Sequence, residues 1–170
     1  LKFAFMEHNG PIAIRYPRGR GKDHLIDGGE VKLGQGVLYK EGSDLTFLAI
    51  GTMFETALNA TVELAKHGVS VELINARFVK PLDVKLIINS VMKTRKLITL
   101  EDNTITGGFG SSVLEMINQR GINIKSKLFG FPDQPITHGS RNQLFKRYKL
   151  DEESLVEEIL KLCKKQQNDQ

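Results

Sequence analysis

From Leu33 onward the chain alternates between two hydrophobic rhythms. Residues 35–39 and 45–50 are β-prone, and Lys40-Glu-Gly-Ser-Asp44 between them has a turn composition that predicts an antiparallel hairpin. Met53, Ala57, Ala60 and Leu64 then recur on one face of a 3.6-residue period, which predicts a helix. His67-Gly68 closes it, glycine suiting the left-handed position past a helix end. Residues 69–74 read as a strand whose polar positions are Ser70 and Glu72. Pro81-Leu82-Asp83 opens a second helix, with Asp83 as N-cap and Val84, Ile87, Ile88 and Val91 facing inward.

Residues 96–100 predict a further strand, and Gly107-Gly-Phe-Gly-Ser111 leads into a helix with Phe109, Val113 and Ile117 on one side. Residues 127–130 predict the last, short strand. Ser140 and Gln143 have the spacing of a capping box. The final helix starts near Asp151, with acids in its first turn and Lys161, Lys164 and Lys165 at its end, as the helix dipole favours. Its apolar stripe is Leu155, Val156, Ile159, Leu160 and Cys163.

Strands alternating with helices of this length predict an α/β fold. The expected architecture is a mainly parallel five-stranded sheet with one antiparallel strand, helices on both faces and right-handed crossovers. The first strand is the antiparallel one. The opening of the chain reads differently. Residues 1–8 are too few for a helix that is stable alone, and residues 11–14 form an apolar strand in need of neighbours. Residues 1–18 are therefore expected to end a preceding domain, and the glycine-rich, polar residues 19–34 to be a linker. Residues 35–165 form the main domain, and 166–170 a fraying tail.

Composition narrows the class without naming a function. The 170 residues, 40% hydrophobic and 26% charged, suffice for one domain core. Apolar runs fall far short of the ~20 residues of a membrane span, and no charged-then-apolar leader opens the sequence. A single cysteine, Cys163, excludes an internal disulfide and a cysteine zinc cluster. A reducing, cytoplasmic setting is expected, or a plastid-type organelle in a eukaryote. The net charge of +4 is spread over the first hundred residues, and neither tryptophan nor an aromatic RNA-binding signature is present. This argues against nucleic acid as a partner.

Four places carry candidate chemistry. Gly107-Gly-Phe-Gly110, between a strand and a helix, is where a phosphate cradle could lie. A dinucleotide fingerprint would need glycine where Val113 stands and an acid in residues 125–130, and the Walker lysine is missing. Close packing is the better reading of these glycines. Arg15, Arg18, Arg20 and Lys22 put four cations in eight positions, and Pro17 restricts the backbone between the first two arginines. Guanidinium groups held this way suit bidentate capture of phosphate or carboxylate, and a solvated basic linker has the same composition.

Glu101-Asp-Asn103 lies at the carboxyl end of a strand, where open α/β sheets place ligands. Such carboxylates do acid–base work or hold Mg²⁺, and more often cap the next turn or pair with a neighbour. His138, just before a helix, suits proton transfer or, more commonly, capping and packing. His8, His24 and His67 have no partners at metal-ligand or triad spacing, and no nucleophile elbow occurs. The inventory falls short of a self-sufficient active site.

Several longer motifs carry a resemblance. Gly10-Pro-Ile-Ala-Ile14 followed by Arg15-Tyr-Pro-Arg-Gly19 is joined by Leu33-Gly-Gln-Gly36 and Ala49-Ile-Gly-Thr-Met53. Ala76-Arg-Phe-Val-Lys-Pro-Leu-Asp83, Glu101-Asp-Asn103 with Gly107-Gly-Phe-Gly-Ser111, and Phe131-Pro-Asp133 with His138-Gly-Ser140 complete the set. With these, the chain from about residue 9 to the last helix closely resembles the C-terminal part of the 1-deoxy-D-xylulose-5-phosphate synthases. The wider transketolase and pyruvate dehydrogenase group shares the shorter elements.

The resemblance implies a thiamine-diphosphate-dependent transferase that condenses pyruvate with glyceraldehyde 3-phosphate, releasing CO₂. Its product feeds isoprenoid, thiamine and pyridoxal synthesis. It implies that thiamine diphosphate and Mg²⁺ are bound by domains other than this one, since neither the family's Gly-Asp-Gly…Asn metal motif nor its cofactor-activating glutamate occurs here. The chain alone is then expected to be inactive, packing the subunit and a homodimer, with no catalytic, cofactor or metal residue of its own. One residue carries over: Arg18, the second arginine of its motif, is implied to grip the phosphate of the aldehyde substrate. Arg15 is implied to support its surroundings. The alternatives are another transketolase or a 2-oxoacid dehydrogenase beta subunit, and a free-standing dimerisation or ligand-binding module.

Overall fold

The computed structural model describes residues 1–16 and 29–164. Arg18, Arg20, Lys22, His24, most of the expected linker and the expected tail lie outside the described residues.

Five strands form one mixed sheet. They are β1 (Val37–Lys40), β2 (Leu45–Ala49), β3 (Val71–Asn75), β4 (Lys96–Thr104) and β5 (Lys125–Phe131), in the order β1-β3-β2-β4-β5. β2, β3, β4 and β5 pair in parallel, and β1 runs antiparallel. The expected α/β architecture is therefore present, with one correction. β1 pairs with β3, not with β2, so the predicted hairpin is split by a strand inserted between its arms.

The connection from β1 to β2 shows why. It passes over the start of β3, where Asp44 N–H donates to the Ser70 carbonyl at 2.8 Å and Ser70 N–H returns a bond to Asp44 Oδ2 at 2.8 Å. A Cβ on Gly42 would overlap the Val71 backbone, so only glycine permits this crossing. Turn residues that read as a tight hairpin thus serve to step across a strand.

Helices cover both faces. The N-terminal α1 (Lys2–Met6) lies outside the sheet, and its Phe3 meets Phe78 edge to face at 6.1 Å between ring centroids. Residues 11–14, expected as a strand, make none. α2 (Met53–Lys66) and α6 (Glu152–Lys164) close one face, burying Phe54, Ala57, Leu64, Leu155 and Ile159 against Phe47, Leu73 and Leu100. α3 (Val84–Thr94) and α4 (Phe109–Asn118) close the other over Leu48, Ile74 and Leu97. α5 (Arg141–Arg147) follows β5 and carries the expected Ser140–Gln143 capping box. With both faces covered, every residue of β2 is buried, the signature of a central parallel strand. No helix among the described residues is long and apolar enough to cross a membrane.

Covering the second face has a consequence that alternation hid. Glu72, one of the two polar positions in residues 69–74, is 2% exposed. Its carboxylate accepts bonds from Ser90 Oγ and Lys93 Nζ on α3, and from Gly42 N–H at 3.4 Å. Ser90 Oγ continues to Thr46 Oγ1 at 2.7 Å, which meets Thr94 Oγ1 at 2.8 Å. A buried polar network therefore locks α3 to β2 and β3. Burial pushes the Glu72 carboxyl up, but the bonds from Lys93, Ser90 and Gly42 outweigh it and hold it below the usual range.

Candidate functional site

The carboxyl edge of the parallel strands gathers most of the candidate residues. β4 continues past the end of β2 through Glu101, Asp102 and Asn103, still beside β5, so these residues are strand, not the loop beyond a strand end. Strand alternation sends Glu101 inward, where it is 1% exposed. Its Oε2 accepts the Phe109 N–H and its Oε1 the Gly110 N–H, both at 2.8 Å. Those are first-turn amides of α4, which have no partner within the helix. A Cβ on Gly108 would collide with the Glu101 carboxylate, and one on Gly110 would come within 2.5 Å of Thr99 Oγ1. The glycine loop therefore admits the chain's own carboxylate and brings helix and strand into contact.

Glu101 is the cap of α4. Burial pushes its carboxyl above the usual range, while the Gly110 and Phe109 amides and the nearby positive charge of Arg15 pull it partly back.

On the outer side of the same stretch, Arg15 Nη2 donates to the Asp102 carbonyl oxygen at 2.5 Å. The first arginine of the basic segment thus rests on the carboxyl edge of the sheet. The Asp102 side chain faces Arg141, with Nη2 at 3.5 Å from Oδ2. Arg141 Nη2 also donates to Thr52 Oγ1 at 2.6 Å, in the turn between β2 and α2, and its guanidinium lies 4.6 Å from the Phe145 ring centroid. Residue types alone did not single out Thr52 or Arg141. Arginine just after a capping serine was the available signal, but only the fold brings it to Asp102.

Two further motifs meet beside this edge. Asp83 Oδ1 accepts the Leu86 N–H at 3.0 Å as the expected N-cap, and Oδ2 accepts the Gly36 N–H at 3.0 Å. Gly34, at φ +67°, sits where a Cβ would come within 2.8 Å of Pro81 Cγ. Leu33-Gly-Gln-Gly36 is therefore shaped to lie on Lys80-Pro-Leu-Asp83. His138 is exposed. His67 lies 3.8 Å from Glu63 Oε1, His8 stacks obliquely near Phe3, and Cys163 is half-buried against the α2–α6 core. Burial pushes the Cys163 thiol up, away from reactivity.

The described residues do not fit a diphosphate or its metal. The backbone amides that could cradle an anion at α4 are already taken by Glu101, and no group of three potential ligands among the described residues is placed to hold a metal ion. What the arrangement does is mechanical. It caps a helix from inside and receives an arginine from outside, at adjacent residues of one strand.

Comparison with known proteins gives three kinds of match. The family model described as the C-terminal domain of transketolase matches residues 34–155. Among curated proteins, the 1-deoxy-D-xylulose-5-phosphate synthase of Desulforudis audaxviator (strain MP104C) is 44% identical over 154 residues, covering 89% of this chain and 24% of the relative. That of Desulfotalea psychrophila (strain LSv54 / DSM 12343) is 40% identical over 166 residues, covering 94% of this chain and 26% of the relative. The chain thus spans about a quarter of the length of these relatives.

Among solved structures, a split-gene transketolase described as an inactive beta4 tetramer aligns with a TM-score of 0.72 at 28% identity, over 77% of this chain and 43% of that one. The transketolase of Campylobacter jejuni subsp. jejuni NCTC 11168 aligns with a TM-score of 0.59 at 20% identity, over 79% of this chain and 20% of that one, a likeness of fold.

Proposed function

The chain belongs to the transketolase C-terminal domain family, and on that premise we propose that it is the C-terminal part of a 1-deoxy-D-xylulose-5-phosphate synthase. The whole enzyme would join pyruvate to glyceraldehyde 3-phosphate, forming one carbon–carbon bond and releasing the pyruvate carboxyl group as CO₂. Thiamine diphosphate and Mg²⁺ belong in this reading to domains other than this one. Residues 1–18 end the preceding domain, 19–34 link, and 35–165 pack the subunit and a homodimer.

The observation that carries this reading is the seat of Arg15 on Asp102. It brings Arg15, the first residue of the Arg15-Tyr-Pro-Arg-Gly19 motif, to the carboxyl edge of the sheet, in a chain 40% and 44% identical to two such synthases. The role proposed for Arg18 is to grip the aldehyde's phosphate, as a planar, always-charged donor suits. Free of the cofactor-binding domains, the chain turns nothing over.

The test is made in the full-length polypeptide. It should consume pyruvate with glyceraldehyde 3-phosphate, and Arg18→Ala should raise the KM for the aldehyde roughly 10- to 150-fold, the loss of a charge-assisted bond, with the KM for pyruvate little changed. Turnover with sugar-phosphate or lipoyl acceptors instead would assign the chain to a transketolase or a 2-oxoacid dehydrogenase. An equal rise for both substrates would make Arg18 structural.

A further inference from the structure

Between Leu100 and Thr104 the pairing of β4 with β5 loses register, and Asp102 has no register partner on β2 or β5. A bulge of this kind re-aims the groups it carries, and its shape depends on what holds it. From inside, Glu101 is tied to the α4 amides. From below, Gly130 leaves room that a Cβ would take, since it would come within 2.8 Å of the Asn103 carbonyl oxygen. From outside, the tether is Arg141. It faces the Asp102 carboxylate, donates to Thr52 and lies over the buried Phe145 ring, so it ties the bulge to the β2–α2 turn and to the start of α5.

The carbonyl presented by this bulge is the one Arg15 takes. We infer that Arg141, acting through Asp102, is a positioning residue that fixes the seat of Arg15 at the carboxyl edge of the sheet. A half-exposed ion pair at 3.5 Å adds little to global stability, and the Thr52 and Phe145 contacts of Arg141 add only modestly to it, so the larger effect of losing Arg141 is local. The consequence for substrate rests on the function proposed above. If the same segment carries the phosphate grip, a loosened seat weakens capture of the phosphorylated aldehyde and leaves pyruvate alone.

Two measurements separate the seat from its use. In the 170-residue chain, trypsin must draw Arg15 off Asp102 before it can cut the bond that follows. Arg141→Leu and Asp102→Asn should each speed that cleavage roughly 3- to 10-fold, with Arg141→Lys intermediate. Cleavage after Arg120 serves as the reference for global opening and should change no more than the small fall expected in the urea midpoint accounts for. Unchanged cleavage after Arg15, or an equal acceleration after Arg120, overturns the inference.

In the full-length synthase, Arg141→Leu should raise the KM for glyceraldehyde 3-phosphate by a similar factor, with kcat and the KM for pyruvate within about twofold. If Arg18→Ala raises the aldehyde KM and Arg141→Leu does not, Arg141 has no positioning role. If Arg18→Ala itself leaves that KM unchanged, the proposed grip fails, while the seat still stands or falls on the cleavage result.

Discussion

Replacing Glu101 by alanine removes the side chain that, among the described residues, reaches the first amides of α4. In the folded chain its two oxygens accept the Phe109 and Gly110 N–H groups at 2.8 Å, in a site 1% exposed. An unsatisfied buried donor costs about 1–3 kcal/mol, and two are created, together with a small void. Water entering the void offsets part of this. A net loss of about 3–5 kcal/mol is expected, at the upper end for single substitutions. Glu101→Gln keeps one acceptor and turns an amino group toward the other amide, so about 1–3 kcal/mol is expected.

The two variants also differ from wild type in pH dependence. Burial holds the Glu101 carboxyl above its ordinary value, so between the unfolded and folded values the native state binds more protons. The contribution of this group therefore falls as pH rises through that window. Glutamine cannot titrate, so the gap between wild type and Glu101→Gln should narrow as pH climbs from the ordinary carboxyl range toward neutrality. Urea unfolding at several pH values reads both quantities. An alanine variant within about 1 kcal/mol of wild type, or a gap that widens with pH, would refute the account of Glu101 as a buried cap.

Glu72 should behave with the opposite sign, because its carboxyl lies below the ordinary range. Its stabilisation is complete above the unfolded value and is lost as pH falls through the folded one, so the gap between wild type and Glu72→Gln, about 1.5–3 kcal/mol at neutrality, should close in acid, as read by the same urea titrations. Asp83→Ala loses both the α3 cap and the bond to Gly36, which should lower stability by about 2–3 kcal/mol and speed hydrogen exchange at the Gly36 amide; Asp83→Asn should stay within about 1 kcal/mol of wild type.

Much of the fold was legible because local chemistry and tertiary structure agree on it. The periods of α2, α3, α4 and α6, the Asp83 cap and the Ser140–Gln143 box follow from side chains within a turn or two of one another, and each stands where expected. The glycines of the Gly107–Gly110 loop are legible as packing residues because the fingerprint residues are missing, but their partners Glu101, Thr99 and Leu128 are supplied by the fold. Arg18 was singled out by residue type and resemblance, and it lies outside the described residues.

Other features depend on residues far apart in the chain. A turn composition states that the backbone reverses but not whether another strand fills the gap, so the pairing of β1 with β3 follows only from the crossing of Gly42 over Val71. Alternation assigns Glu72 to one face without saying that α3 covers it. The sequence marked Glu101 as a carboxylate beside a glycine loop, and only folding aimed it at the loop's amides. The sequence by itself determined the elements, their caps and the α/β class, because hydrophobic period and capping act over a few residues. Tertiary structure alone decided strand order, the burial of Glu72 and Glu101, and the meeting of Arg15, Asp102, Arg141 and Thr52. The contacts among Arg15, Asp102, Arg141 and Thr52 join positions dozens of residues apart, and no local preference encodes them.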